Sequence, residues 1–216
     1  MALDLNSLAR GRVVTGYSRP QVALYNNNNG VVTYTGVRDL ARGASMTPSI
    51  TVSGGNPLYL DNQQSERGKP RFRAGTLAQE VDGLLVASER FIMGIPDSAV
   101  ETVTIGQNNV RFNTYSKTQD IPYVGEGVCV QAQSNGIVFY IAFVYRKLQF
   151  DQFDVPAVTE GQEIEWQRQQ LSAQIMVDDT PNRYWKWFSD PLETELEAYN
   201  ACRVALGGEP VQALPM

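Results

Sequence analysis

"GVCVQAQSNGIVFYIAFVYRKLQF", residues 127–150, consists of two β-prone runs split by Ser134-Asn135-Gly136. Asn-Gly is the strongest short-range hairpin cue, because a type I′ turn needs positive φ at both central residues. The first run alternates in polarity. The second is apolar on both parities, at Val138, Phe139, Tyr140, Ile141, Phe143 and Val144. Successive strand side chains point to opposite faces, so a strand apolar on both belongs in the middle of a sheet covered on two sides.

Outward from this hairpin the same grammar recurs. "QVALYNNNNGVVTYTG" (21–36) reads as a second hairpin with the asparagines at its tip, and residues 100–118 as a third across Gly106-Gln107-Asn108-Asn109. In 76–81, Leu77, Gln79 and Val81 fall on one face, and Thr76, Ala78 and Glu80 on the other. In "RQQLSAQIMVDD", Leu171, Ala173 and Ile175 oppose Gln170, Ser172 and Gln174. Asp82 is placed to cap a helix over "GLLVASERFIMG", with Gly94 closing it. A C-terminal helix over 189–206 would use Asp190 as cap, Pro191 as first residue and Glu193 as capping-box partner. Residues 1–20 read as an N-terminal arm. Residues 37–75, rich in glycine and proline, read as a long excursion with at most one strand at "SITVS". The expectation is a mainly β protein, residues 1–216 as a single domain, built as an antiparallel β-barrel or sandwich flanked by one internal and one C-terminal helix.

Composition narrows the chemistry. The 216 residues contain no histidine, which removes the usual general base, the commonest zinc ligand and the Ser-His-Asp and Cys-His systems. Cys129 and Cys202 lack metal-ligand spacing and read as free buried thiols. Asp178-Asp179, Asp151 with Asp154, and Glu163 with Glu165 are close only in sequence, so loop solvation is the preferred reading. No catalytic residue, metal or cofactor is expected. No apolar run is long enough to cross a bilayer, and Asp4 and Arg10 interrupt the start where a signal peptide needs an apolar core; synthesis and retention in a cytoplasm are expected. "RYWKWF" (183–188) is read as core or subunit interface, with an aromatic sugar platform at Tyr184, Trp185 and Trp187 as the rival.

Charge is unevenly distributed. Residues 1–75 carry nine Lys/Arg against four Asp/Glu, net +5; residues 76–216 carry nine against nineteen, net −10. The basic density peaks at Arg67, Lys69, Arg71 and Arg73. Three readings stand: a loop docking on a neighbouring subunit, a solvated loop, or a phosphate grip within a nucleic-acid-binding front region.

Several segments, in order, resemble the major tail proteins of long-tailed, non-contractile bacteriophages, the subunits of the tail tube. They are "YLDNQQSE" with Asp61 and Asn62; "AGTLAQEVDGLLVASERFIMGI" with Gly75, Asp82 and Gly83; and the 127–150 hairpin preceded by Gly125 and Gly127. The last is "QQLSAQIMVDDTPNRYWKWFSDPLETELEAYNA" with Asp178 and Asp179. The basic run 67–73 and the four-asparagine turn have no counterpart in that pattern. The resemblance implies a structural virion protein, assembled in the bacterial cytoplasm into stacked hexameric rings. Its partners would be other copies, a tape-measure protein, the tail terminator and distal tail proteins, with double-stranded DNA passing without specific binding and no membrane insertion. A tube terminator or head-decoration protein of similar fold is the nearest variant. On this reading Thr76, Ala78, Glu80, Gln170, Ser172 and Gln174 face the channel, and Arg67, Lys69, Arg71 and Arg73 dock subunits.

Overall fold

The computed structural model describes residues 12–215 apart from Asn56, Asp97, Ala99, Pro156, Val158 and 160–166. In chain order its elements are β1 (Val13–Asn28), β2 (Val31–Asp39), β3 (Gly43–Val52), β4 (Pro57–Leu60), β5 (Gln63–Arg67), β6 (Phe72–Val81) and α1 (Val86–Met93). There follow β7 (Val100–Ile105), β8 (Asn108–Asn113), β9 (Val124–Ser134), β10 (Ile137–Phe150), β11 (Gln169–Met176), β12 (Lys186–Phe188) and α2 (Glu195–Ala205). The protein is mainly β with minor helices, and its strand pairs are antiparallel.

The main sheet runs β2-β1-β9-β10-β11-β6-β3, with β12 also pairing β10, while β4–β5 and β7–β8 form separate two-stranded sheets. The β9–β10 hairpin turns at Asn135-Gly136, both with positive φ, and β1–β2 turns likewise at Asn29-Gly30. Most of β10 from Phe139 onward is buried, as its two-sided apolarity requires. Its Ala142 and Val144 meet Tyr199, Cys202 and Leu206 of the α2 region, and its Tyr145, Leu148 and Phe150 enter a second cluster with Leu77, Leu171, Ile175 and the α1 residues Ile92 and Met93.

The sheet rolls up so that β3 and β6 face β1 and β9 across this second cluster. Tyr17 of β1 donates its hydroxyl to Gln79 Oε1 of β6 at 2.6 Å, and Gln79 reaches Glu126 of β9. Gly43 lies so close to the Tyr17 ring that an added Cβ would stand 2.2 Å from it. The result is a rolled antiparallel sheet with two minor helices, α2 lying on its outside, which matches the expected mainly β class.

Four boundaries differ from expectation. Of the proposed arm 1–20, residues from Val13 onward belong to β1 and pair with β9, while 1–11 lie outside the described residues. The excursion 37–75 is largely strand: β3 pairs with β6 from Gly43 to Val52, and the two chains stay joined beyond it by Ser53 N to Arg71 O at 2.7 Å. β3 is an edge strand with mostly exposed side chains; Ala44, Met46, Ile50 and Val52 do alternate with Ser45, Thr47, Ser49 and Thr51, but Gly43 and Pro48 break the run into pieces that read as turn. The C-terminal helix begins at Glu195, capped by Thr194 with Glu197 completing the capping box. Asp190 cannot serve because Leu192 is held in an antiparallel bridge to Tyr140, which keeps the chain extended past it. Similarly α1 starts after Leu85, with the Asp82 carboxylate bonded to Arg42 instead. Gly94 ends it in the left-handed region as expected.

Candidate functional site: a bare polar sheet face and a basic hairpin neck

Three strands put their outward side chains in register. Gln170 stands opposite Glu80 and Ser45, Ser172 opposite Ala78 and Thr47, and Gln174 opposite Thr76 and Ser49. The inward partners Leu77, Val81, Leu171, Ala173 and Ile175 are buried, so alternation forces these nine residues outward. All are exposed or half-buried, none is Lys or Arg, and Glu80 is the one charge among them. Asp151 borders the rows, accepting from Ser172 Oγ at 2.7 Å and Gln174 Nε2 at 3.4 Å. Arg168, at the border, has its guanidinium 3.5 Å from Glu80. A groove of about 430 Å³ runs along this face beside Gln152, Phe153 and Asp154. The six residues expected to share a face therefore do so, and Ser45, Thr47 and Ser49 extend it.

Arg67, Lys69, Arg71 and Arg73 lie where the β3–β6 ladder continues into the β4–β5 hairpin, beyond the end of the polar face. All four are exposed, and among the described residues none forms an ion pair. The chain around them is nonetheless tied at several points. Arg71 N donates to Ser53 Oγ at 3.1 Å, Arg67 Nε donates to Gly55 O at 3.2 Å, and a Cβ on Gly55 would sit 2.1 Å from Gly68 O. Asp61 and Asn62 form the hairpin tip with φ of 51° and 64°, a turn that Asx residues tolerate.

The remaining motif positions are structural. Gly125 and Gly127 leave room for α2: a Cβ on Gly125 would stand 2.4 Å from the Tyr34 ring, and one on Gly127 2.7 Å from Cys202 Cβ. Gly75, buried, sits against Ile50 and Ile175, and Gly83 takes a φ of 148° between Asp82 and α1. Asp178 and Asp179 answer two consecutive cations at a register shift in β10. Asp178, fully buried, holds Arg146 Nε at 3.1 Å and accepts from Thr180. Asp179 meets Lys147 Nζ at 2.7 Å and the Tyr25 hydroxyl at 2.8 Å; the Lys147 bond holds its carboxyl below the usual range. Loop solvation is thus corrected for Asp178. Glu163 and Glu165 lie outside the described residues.

The aromatic cluster makes contacts within the chain, although Tyr184, Trp187 and Phe188 remain exposed. Arg146 stacks 3.7 Å over Trp187, Trp185 stacks on Phe72 at 4.8 Å, and Tyr184 meets Trp187 edge-on. Cys129 of β9 and Cys202 of α2 are free and buried where the helix meets the sheet. No cluster of three metal-ligating side chains occurs among the described residues, and no helix there is long and apolar enough to span a membrane.

Sequence reasoning passed over Glu126. It is fully buried inside the rolled sheet, where Gln79 Nε2 donates to both carboxylate oxygens at 2.7 and 2.8 Å. Burial pushes its pKa up to about 8 against the opposing pull of those bonds, and burial, with Glu126 nearby, raises Tyr17 strongly. The signal was present: an acid between two glycines in a strand otherwise buried. No protein-family model matches this chain, and no curated protein matches it.

Proposed function

We propose that this protein is a tail-tube subunit of a long-tailed, non-contractile bacteriophage, a structural brick that stacks in rings to form the conduit for the genome. The observation that carries the reading is the bare face of β11, β6 and β3: nine side chains, uncharged save Glu80, bordered by Asp151, Asp154 and one cation, Arg168, which pairs with Glu80. A channel that passes duplex DNA needs such a wall. Each Lys or Arg on a phosphate adds non-specific affinity and slows passage, whereas hydroxyls and amides keep the surface wet without holding the polyanion. One chain of this size cannot enclose a duplex, since a barrel of about eight strands is filled by its own side chains. Several copies must pool their sheets, six per ring on this reading, around a tape-measure protein.

The basic neck then serves ring-to-ring or subunit contacts. Its cations have no acidic partner among the described residues of their own chain, and the remainder of the molecule is net negative. Head-to-tail contacts of this kind propagate into open filaments. The tail terminator and distal tail proteins would close the two ends.

Electron microscopy of the concentrated protein tests the reading. Hollow tubes are expected; single rings would indicate a terminator, and a monodisperse monomer would overturn it. Arg71→Glu with Arg73→Glu should abolish tubes while leaving the monomer folded by circular dichroism. The same four exposed cations favour one second reading, a nucleic-acid-binding protein. Tight duplex binding by the monomer in a gel shift at moderate salt would favour it.

A further inference from the structure

The β7–β8 hairpin is built like half of an interface. Its register sets Val103 opposite Val110, Glu101 opposite Phe112 and Ile105 opposite Asn108. Alternation therefore collects Val103, Ile105, Val110 and Phe112 on one face, edged by Glu101 and Asn108, and Thr102, Thr104, Asn109 and Arg111 on the other. Those four apolar side chains are 48, 62, 37 and 49% exposed. The hairpin shares no strand pairing with the main sheet. Its base is tied to α1 by Arg90 Nε donating to Asn113 Oδ1 at 2.6 Å, and just beyond it Tyr115 donates to Glu89. The attachment orients the hairpin and leaves its apolar face uncovered. A lone two-stranded hairpin is marginal in water, and an ordered apolar face on one calls for a cover.

We infer that this face docks on a second copy of the chain. The area argues for that occupant. The four half-exposed side chains offer roughly 300 Å², well under the ~800 Å² per partner of a stable complex. The hairpin alone therefore holds no partner and works only where other contacts have already brought the partner close. The chain supplies such contacts to its own kind: a net +5 front, four cations without an acidic partner among the described residues, and a net −10 remainder. The hairpin's apolar face locks a neighbour that charge has delivered. This inference rests on the self-assembly proposed above.

Full-length protein carrying Val103→Asp and Phe112→Asp tests it, alongside wild type. The expected result is an unchanged melting temperature and a rise of about tenfold or more in the concentration needed for assembly. Assembly at the wild-type concentration would overturn the docking role. A clear loss of monomer stability would overturn it too, because the face would then be packed by its own chain. Wild type failing to assemble at any concentration would instead sink the self-assembly reading itself. As a second measurement, Ile105→Cys should react with a maleimide in the monomer and be protected after assembly; the native Cys129 and Cys202 are buried and give little background. Equal labelling in both states would count against the inference.

Discussion

The β9–β10 hairpin and the β11-β6-β3 ladder belong to one sheet and obey one alternation, yet their outer faces have opposite fates. On β9 and β10 the outward residues are Gly125, Gly127, Cys129, Ala142 and Val144, small or apolar, and α2 lies on them. On the ladder the outward residues are Ser, Thr, Ala, Gln and one Glu, and no helix of the described chain covers the strands, which are only bordered by the segment 151–154. The inner faces of both feed the same apolar cluster. Covering thus follows outward chemistry and not strand geometry. The helix goes where burial is rewarded, and the polar ladder is left to contact whatever lies outside the subunit.

The comparison implies that damage to the covered half is expensive and damage to the bare face is not. The largest effect is expected at Asp178→Ala, which leaves Arg146 buried and unpaired; a loss of about 3–5 kcal/mol should appear in urea denaturation. Next comes Glu126. Its folded-state pKa of about 8 lies above the ordinary 4.5, so the folded form keeps a proton that the unfolded chain releases. The associated stability is fully present below pH 4.5 and is lost as pH rises through about 8, a decline on the order of a few kcal/mol. Glu126→Gln keeps the shape and should flatten that slope in melts between pH 5 and 9; an unchanged slope would remove Glu126 as its source. Gly127→Val forces a side chain into Cys202 and should cost about 1–3 kcal/mol, or more if α2 is displaced. The smallest effect is expected on the bare face, where Thr47→Ala or Gln174→Ala should stay within about 0.5 kcal/mol in the monomer. A large loss there would mean that the face is packed after all.

The hairpins at Asn29-Gly30 and Asn135-Gly136, and the in-out alternation of β6 and β11, were legible because turn chemistry and two-residue periodicity are local signals. The nine-residue face was two-thirds legible. Ser45, Thr47 and Ser49 escaped although they alternate with Ala44, Met46, Ile50 and Val52, because Pro48 inside the strand and the glycines at both ends read as turn. Both helix starts were placed too early, since an aspartate that fits a cap is also a good acceptor for something else. Asp82 went to Arg42, and Asp190 lies in a segment pinned by Leu192. The buried Arg146–Asp178 pair joins residues 32 apart, and the Gln79–Glu126 contact joins residues 47 apart; no local pattern reports such meetings.

The order of strands bears on how the chain is made. β1 finds its partner in β9, with Val22 beside Glu126, and β6 must await β11, with Leu77 beside Ala173. Until the ribosome has delivered β9, β10 and β11, the emerging polypeptide holds, of the main sheet, only the β1–β2 hairpin and the β3–β6 pair, each with an open edge. Sheets that close over such separations form slowly and expose sticky intermediates on the way. Nascent chains stalled before about residue 176 would therefore be prone to clumping, and slower translation or a chaperone able to shield those edges should raise the soluble yield.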